Sequence, residues 1–320
     1  MPETERLSAD PDGIARAAAL LAAGELVAFP TETVYGLGAD ARNGQAVARV
    51  FEAKGRPRFN PLIVHLPDLS AAQDIAEIAG DLERLAATFW PGPLTLVAPL
   101  RPGAGLSDLV TAGLATVAIR VPAHPVAQRL LAVFGGSLAG PSANPSGKVS
   151  PTTADHVLEG LGGRIAAVLD AGPCAVGLES SIVGIEGGVP VLLRPGGLPA
   201  EAIEDCLGRP LGRAGVAITA PGQLASHYAP GVRLRLGATA PAAGEGWLGF
   251  GPDPEGCCGP CLNLSPSGDM VEAAANLFAH LRAIDAAMGG QGTVAVAAIP
   301  ERGLGRAIND RLRRAAAPRP

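Results

Sequence analysis

Residues 116–147 read TVAIRVPAHPVAQRLLAVFGGSLAGPSANPSG, and this stretch decides the fold class. TVAIRVP (116–122) alternates between two faces, as a strand does. HPVAQRLLAVF (124–134) has helical spacing, and SLAGPSA (137–143) is a strand running into a loop. Strand, helix and strand in succession predict an α/β architecture. Working outward toward the N-terminus, LTLVAPL (94–100), LIVHL (62–66) and LVAFP (26–30) read as strands. Between and before them, helices are predicted over roughly 70–88, over 44–55 ending at Gly55, and over 12–23 closed by Gly24. Toward the C-terminus, TADHVLEGL (153–161) is helical. AAVLDAG (166–172), SSIVGIEG (180–187) and VPVLLRPG (189–196) read as three strands near one another. The hairpin-like IEGGVP (185–190) makes the expected sheet mixed, not purely parallel.

Residues 212–231, GRAGVAITAPGQLASHYAPG, lose this rhythm and read as a linker. A shorter α/β pattern follows: WLGFG (247–251), a helix over 268–287, TVAVAAIP (293–300) and the basic helix INDRLRRAA (308–316). A chain of 320 residues suits about two domains, and 48% hydrophobic residues with a mean hydropathy of +0.27 allow a large core. The 43 Gly and 30 Pro then mark turns and places where backbone approaches a ligand, not disorder. Net charge is −5 and the pI about 5.6, so the overall basic excess of a phosphate-gripping nucleic-acid binder is missing. The five Cys, an odd number with no signal peptide ahead of them, fit a reducing cytoplasm better than a disulfide framework. Apolar runs are too short to span a bilayer, so a soluble, cytoplasmic protein is expected.

Several motifs fall short. Gly36-Leu-Gly38-Ala-Asp-Ala41 lacks the third glycine of a dinucleotide fingerprint and the acidic residue about twenty positions on. Gly140 to Lys148 has the wrong glycine spacing for a P-loop, with Val149 where Ser or Thr would hold Mg²⁺. Cys257-Cys258-x-x-Cys261 has no second pair to complete a metal site.

Stronger signals sit at strand ends. PTETVYGLG (30–38) puts Thr31, Glu32 and Thr33 on a turn before glycines. KGRPRFNP (54–61) clusters Lys54, Arg56, Arg58 and Asn60, with Gly55 and Pro57 stiffening the segment. Such cations supply the charge stabilisation that attack on an α-phosphate needs, although cations at a helix end also serve the helix dipole. His65 inside LIVHL has the bland reading of a core histidine. Arg120 in TVAIRVP points either to solvent or into a cleft, where it would fork onto a carboxylate. GPSANPSG (140–147) places Ser142 and Asn144 on one side of an extended loop, and ESS (179–181) and Arg194 repeat the theme. Two classes fit: an ATP-using transferase acting on a small carboxylate, or a non-catalytic RNA-binding module. The acidic total and the sparse aromatics among the N-terminal motifs (Phe29, Tyr35, Phe51) disfavour base stacking.

PTETVYGLG, KGRPRFNPL, FWPGPLTL, VAIRVP, GPSANPSG, ESSIV and LLRPGG occur in the order seen in the YrdC-like domain of threonylcarbamoyl-AMP synthases. The chain resembles that family over residues 10–208. SHYAPG (226–231) and GLGRAINDRLRRAA (303–316) resemble the linker and C-terminal domain of its long form. The resemblance implies a YrdC-like domain with a twisted mixed sheet flanked by helices (10–208), a linker over the active site (209–235) and a smaller C-terminal α/β domain (236–320). It implies formation of threonylcarbamoyl-adenylate and pyrophosphate from L-threonine, bicarbonate and ATP, with Mg²⁺ accompanying ATP. The product would pass to a tRNA threonylcarbamoyl transferase, and direct tRNA contact stays open. By resemblance, Lys54 and Arg56 are catalytic and form a tetrad with Ser142 and Asn144. Asn60, Thr116, Ser150 (or Thr152), Arg194 and Tyr228 join them on the ATP side. Thr33, His65, Arg120, Ser142 and Ser180 or Ser181 hold threonine, with Arg120 on its carboxylate. Arg58 stays unassigned. The linker, carrying His227 and Tyr228, would close as a lid.

Overall fold

In a computed structural model, described over residues 3–57, 59–213, 215, 227–254 and 259–318, the chain builds two sheets. The larger runs, edge to edge, β1 (Glu5–Ser8), β8 (Ala167–Asp170), β2 (Val27–Phe29), β3 (Gly36–Asp40), β7 (Leu138–Ala139), β4 (Ile63–His65), β6 (Thr116–Arg120), β5 (Leu94–Pro99), β9 (Ser181–Glu186), β10 (Val189–Arg194) and β11 (Gly212–Arg213). Pairing is mixed: β4 and β6 are parallel, β5 and β6 antiparallel, and β9 and β10 form an antiparallel hairpin. An unanticipated hairpin, β2–β3, makes residues 30–35 its loop. The smaller sheet, β12 (Arg233–Ala238), β15 (Thr293–Ala297), β13 (Gly246–Gly249) and β14 (Cys261–Asn263), is parallel throughout. Helix Met270–Ala287 supplies its long crossover.

Two expectations need correction. The helix over 70–88 is two helices, Leu69–Ile75 and Asp81–Phe89. Between them Ala76 is extended, and backbone groups of 75–77 bond to 99–101 instead of continuing the helix: Glu77 N donates to Pro99 O and Arg101 N to Ile75 O. AAVLDAG does not neighbour the following two strands. Its strand β8 pairs with β1 and β2 near the opposite edge. In the basic INDRLRRAA helix, Leu304–Ala316, Arg311 is fully buried, Arg313 pairs with Glu301 and Arg314 with Asp310.

The segment expected as linker is partly structured. Strand β11 joins the larger sheet and β12 begins the smaller one at Arg233; residues 214 and 216–226, like Arg58, Cys257 and Cys258, lie outside the described residues. The apolar core under the smaller sheet joins Leu277, Phe278 and Leu281 to Val34, Val149 and Leu178 of the larger body, with Tyr228 among them. That shared burial holds one body against the other, since each apolar side chain removed from water contributes on the order of 1.5–3 kcal/mol. Among the described residues no helix is long and apolar enough to cross a membrane.

Candidate active site

The topology explains why residues distant in sequence meet. His65 and Arg120 are register partners at the C-terminal ends of parallel β4 and β6. In α/β sheets that end is where ligands bind. The β2–β3 loop brings Thr31, Thr33 and Val34 beside them, and Ser142 bridges to Gly36. Ser180 precedes β9, and Arg194 ends β10. The resulting cleft is lined by these residues together with Arg56, Glu179, His227 and Tyr228.

In one part of the cleft Arg120 is 3% exposed, and each of its three nitrogens donates one hydrogen bond. Nη1 donates to Thr33 Oγ1 at 2.8 Å, Nη2 to Glu32 Oε1 at 2.6 Å and Nε to Gly92 O at 3.2 Å. A carboxylate already sits on this arginine, so a carboxylate ligand would share or displace Glu32. Thr31 and Thr33 hydroxyls lie 2.7 Å apart, as do those of Thr95 and Ser180. Burial, then the Arg120 charge, pushes His65 down to about 3, so its imidazole is neutral. Its Nδ1 is buried without a hydrogen-bond partner among the described residues.

A second group of cleft residues is cationic. Helix Gly44–Lys54 ends on Gly55 in the left-handed conformation (φ 59°), which turns the chain so that Lys54 and Arg56 both enter the interior. Lys54 Nζ donates to the carbonyls of Ser142 and Asn144, and Ser146 N donates back to Lys54 O at 2.8 Å. The two polar pairs about ninety positions apart therefore meet. Burial, then the neighbouring Arg56 charge, holds the Lys54 amine well below its ordinary value. Arg56 donates to Asn60 O and Pro61 O and is lowered to about 10, by burial first and then by Arg194. Arg194, also lowered chiefly by burial, donates to Ser180 O at 2.9 Å. Among the described residues no carboxylate lies within ion-pair distance of Lys54 or Arg56. Buried cations that depress one another are relieved by an anion.

Six expected residues stand apart from the cleft lining. Lys54, Asn144 and Asn60 lie directly behind it; the amide oxygens of both asparagines are buried without partners among the described residues. Ser150 is buried with its hydroxyl donating to Glu179 Oε1 at 2.5 Å. Ser181 is committed to Leu198, donating to its carbonyl at 2.5 Å. Thr116 sits at the far end of β6, opposite Pro99.

Sequence reasoning passed over Glu179 and Arg311. Glu179 stands in the quoted ESS, but the serines drew the attention. Arg311 had a signal: it falls on the buried face of its helix with Ile308, Leu312 and Ala315. Tyr228 is 1% exposed at φ 61°, stacks on Phe278 at 5.3 Å and meets the His227 ring edge-on at 4.1 Å. Burial, then the Glu179 charge, raises its phenol to about 12, and His227 is pushed down to about 3 by burial.

The described residues hold no cluster of three or more His, Cys, Asp or Glu able to cage a metal. Glu179, the carboxylate in the cleft wall, is already bonded to Arg311 and Ser150. The donor set suits Mg²⁺ as part of a nucleotide, held by phosphate oxygens and water, and not as a resident ion.

A mixed-sheet α/β domain whose cleft gathers Arg56, Arg120 and Arg194 with hydroxyls, His227 and Tyr228 in its lining suits a nucleotidyltransferase. Comparisons agree. Residues 19–196 match the family of Sua5, YciO and YrdC described as "Telomere recombination", and residues 198–317 match "Threonylcarbamoyl-AMP synthase, C-terminal domain". The threonylcarbamoyl-AMP synthase of Bacillus subtilis is 49% identical over 239 residues, covering 73% of this chain and 69% of that protein. The one of Pyrococcus abyssi is 41% identical over 325 residues, covering 93% and 92%. The crystal structure of P. abyssi Sua5 complexed with L-threonine superposes with a TM-score of 0.88 at 38% identity, covering 98% of each chain. Escherichia coli YciO, at 19% identity and a TM-score of 0.55, shares the fold over 61% of this chain. The chain belongs to the threonylcarbamoyl-AMP synthase family, in its two-domain Sua5 form, a family of enzymes in tRNA threonylcarbamoyladenosine modification.

Proposed function

We propose that the cleft joins L-threonine, bicarbonate and ATP into threonylcarbamoyl-AMP, releasing pyrophosphate. The observation that carries this reading is that one cleft gathers two unlike sets of groups: Arg56 with buried Arg194, and Arg120 with Thr33, the two joined through Ser180, which accepts from Arg194. The P. abyssi protein described as complexed with L-threonine supports threonine as the amino acid. Arg120 takes the threonine carboxylate, replacing or joining Glu32, and Thr33, Ser142 and Ser180 orient the rest, with neutral His65 at the floor. Ser181, its hydroxyl bonded to Leu198 and its N–H to Pro93, anchors the chain beside Ser180.

The triphosphate lies against Arg56 and Arg194, with Lys54 tying the 142–144 loop in place from behind. Asn60, Asn144 and Ser150 complete the nucleotide side, and Tyr228 covers it. Thr116, at the far end of its strand, lacks that proximity. The threonine amine adds to CO₂ drawn from bicarbonate and loses a proton, giving a carbamate. A carbamate oxygen bonds to the α-phosphorus as the bond to the pyrophosphate oxygen breaks in line. No covalent enzyme intermediate is needed; positioning and charge neutralisation carry the rate. Mg²⁺, bound to the nucleotide, adds charge neutralisation on the phosphates. His227 and Tyr228, in the cleft lining, exclude water from a labile adenylate. The product passes, in the cytoplasm, to a transferase that modifies tRNA.

The test is Arg56→Ala in an assay of threonine- and bicarbonate-dependent pyrophosphate release. Loss of at least about a hundredfold in turnover is expected for removing one charge-stabilising donor. Near-normal turnover would sink the reading.

A further inference from the structure

Arg311 belongs to the last helix of the smaller domain, yet its side chain is 0% exposed. It crosses to the other domain: Nε and Nη2 donate to Glu179 Oε2 at 3.1 and 3.0 Å, and Nη1 donates to Pro195 O and, at 3.0 Å, to Asp310 Oδ2. The guanidinium also lies 5.5 Å from the Tyr228 ring centre. Glu179, in turn, faces the same cleft as Arg56 and Arg194.

A carboxylate in the wall of a phosphate site poses a problem. Water screens it poorly there, because the group is only 7% exposed, and an entering polyphosphate meets a like charge. The carboxylate has other work, since Oε1 accepts from Ser150 Oγ at 2.5 Å. Its charge is therefore kept and cancelled, and the cancelling group comes from the second domain.

We propose that Arg311 is a positioning residue for nucleotide binding. Through it the C-terminal domain neutralises and holds Glu179, making the cleft wall tolerant of a triphosphate. This gives the second domain a role in the chemistry of the cleft beyond roofing it, and it rests on the reading of that cleft as an ATP site.

The experiment compares the full-length wild type, Arg311→Met, and Arg311→Met combined with Glu179→Gln. KM for ATP and for threonine is measured by pyrophosphate release, ATP binding by calorimetry and folding by thermal melting. Arg311→Met should raise the ATP KM at least about tenfold, about 1.4 kcal/mol, and leave the threonine KM within about threefold. Adding Glu179→Gln removes the unpaired charge and should return the ATP KM to within about threefold of wild type. A packing role predicts the reverse, because the double variant has lost more contacts. A double variant as impaired as the single, or worse, overturns the proposal. Should Arg311→Met fail to fold, the double variant decides alone: a near-wild-type ATP KM supports compensation and a tenfold rise refutes it. A wild type without threonine-dependent pyrophosphate release would instead defeat the functional reading, and calorimetry with ATP would still rank the three chains.

Discussion

Replacing Glu179 by Gln removes one buried charge while keeping the side chain's shape. In the folded chain this carboxyl sits at about 2 against an ordinary 4.5. Burial alone would raise it; the charges of Arg311 and Arg194 and the Ser150 hydrogen bond outweigh burial. A carboxylate with a depressed folded value contributes stability that is complete above the unfolded value. That stability is lost as the pH falls through the folded one. At about 1.4 kcal/mol per unit, the separation corresponds to about 3 kcal/mol. Breaking a buried ion pair from one side costs about 3–5 kcal/mol, which agrees. Glu179→Gln should therefore be about 3 kcal/mol less stable than wild type near pH 6. By about pH 3.5 the wild type should have lost a substantial part of that advantage, and near pH 2 the two chains should approach one another. Urea unfolding, followed by the fluorescence of Trp90 in one body and Trp247 in the other, reads this directly. A gap that does not change with pH, or one below about 1 kcal/mol near pH 6, would refute the account of this pair.

Further outcomes follow from the same geometry. Arg120→Ala should raise the threonine KM at least about tenfold with the ATP KM little changed, since charge-assisted bonds contribute about 1.5–3 kcal/mol; an unchanged threonine requirement removes Arg120 from the carboxylate role. Gly177, at φ +71°, packs so closely on the second domain that a Cβ would lie 2.5 Å from Ala274 O. Gly177→Val should cost about 2–4 kcal/mol in thermal or urea unfolding, and an unaltered transition would contradict that approach. His65, held at about 3 by burial, contributes stability that is full above its ordinary 6.5 and lost as the pH falls from there toward 3. The wild type should accordingly lose stability faster than His65→Gln between about pH 6.5 and 4.5, and parallel curves would show His65 to be solvated.

Much of this architecture was legible because hydrophobic period and turn chemistry are local properties. Residues 44–55 announced both a helix and its left-handed glycine stop, and TVAIRVP announced a strand with an odd charge on it. What escaped was what depends on tertiary pairing. The break between residues 75 and 81 arises because backbone groups find partners on residues 99–101, which no window around residue 76 contains. Strand order escaped for the same reason, leaving β8 far from β9 and β10. Candidate polar residues were visible as strand-end exceptions in apolar sequence, but their distances from the cleft were not. Thr116 and Ser181 looked like their neighbours and lie elsewhere or are otherwise bonded. Arg311 was hidden by its company: beside Arg313 and Arg314 it was one charge in a basic helix, and its place on the apolar face was the clue that set it apart.

The central claim, that one cleft holds nucleotide and amino acid side by side, is tested most directly by an experimental structure with L-threonine and a non-hydrolysable ATP analogue bound. The account predicts phosphate density against Arg56 and Arg194 beneath Tyr228, and the threonine carboxylate on Arg120. Phosphates bound elsewhere, or threonine away from Arg120, would contradict it.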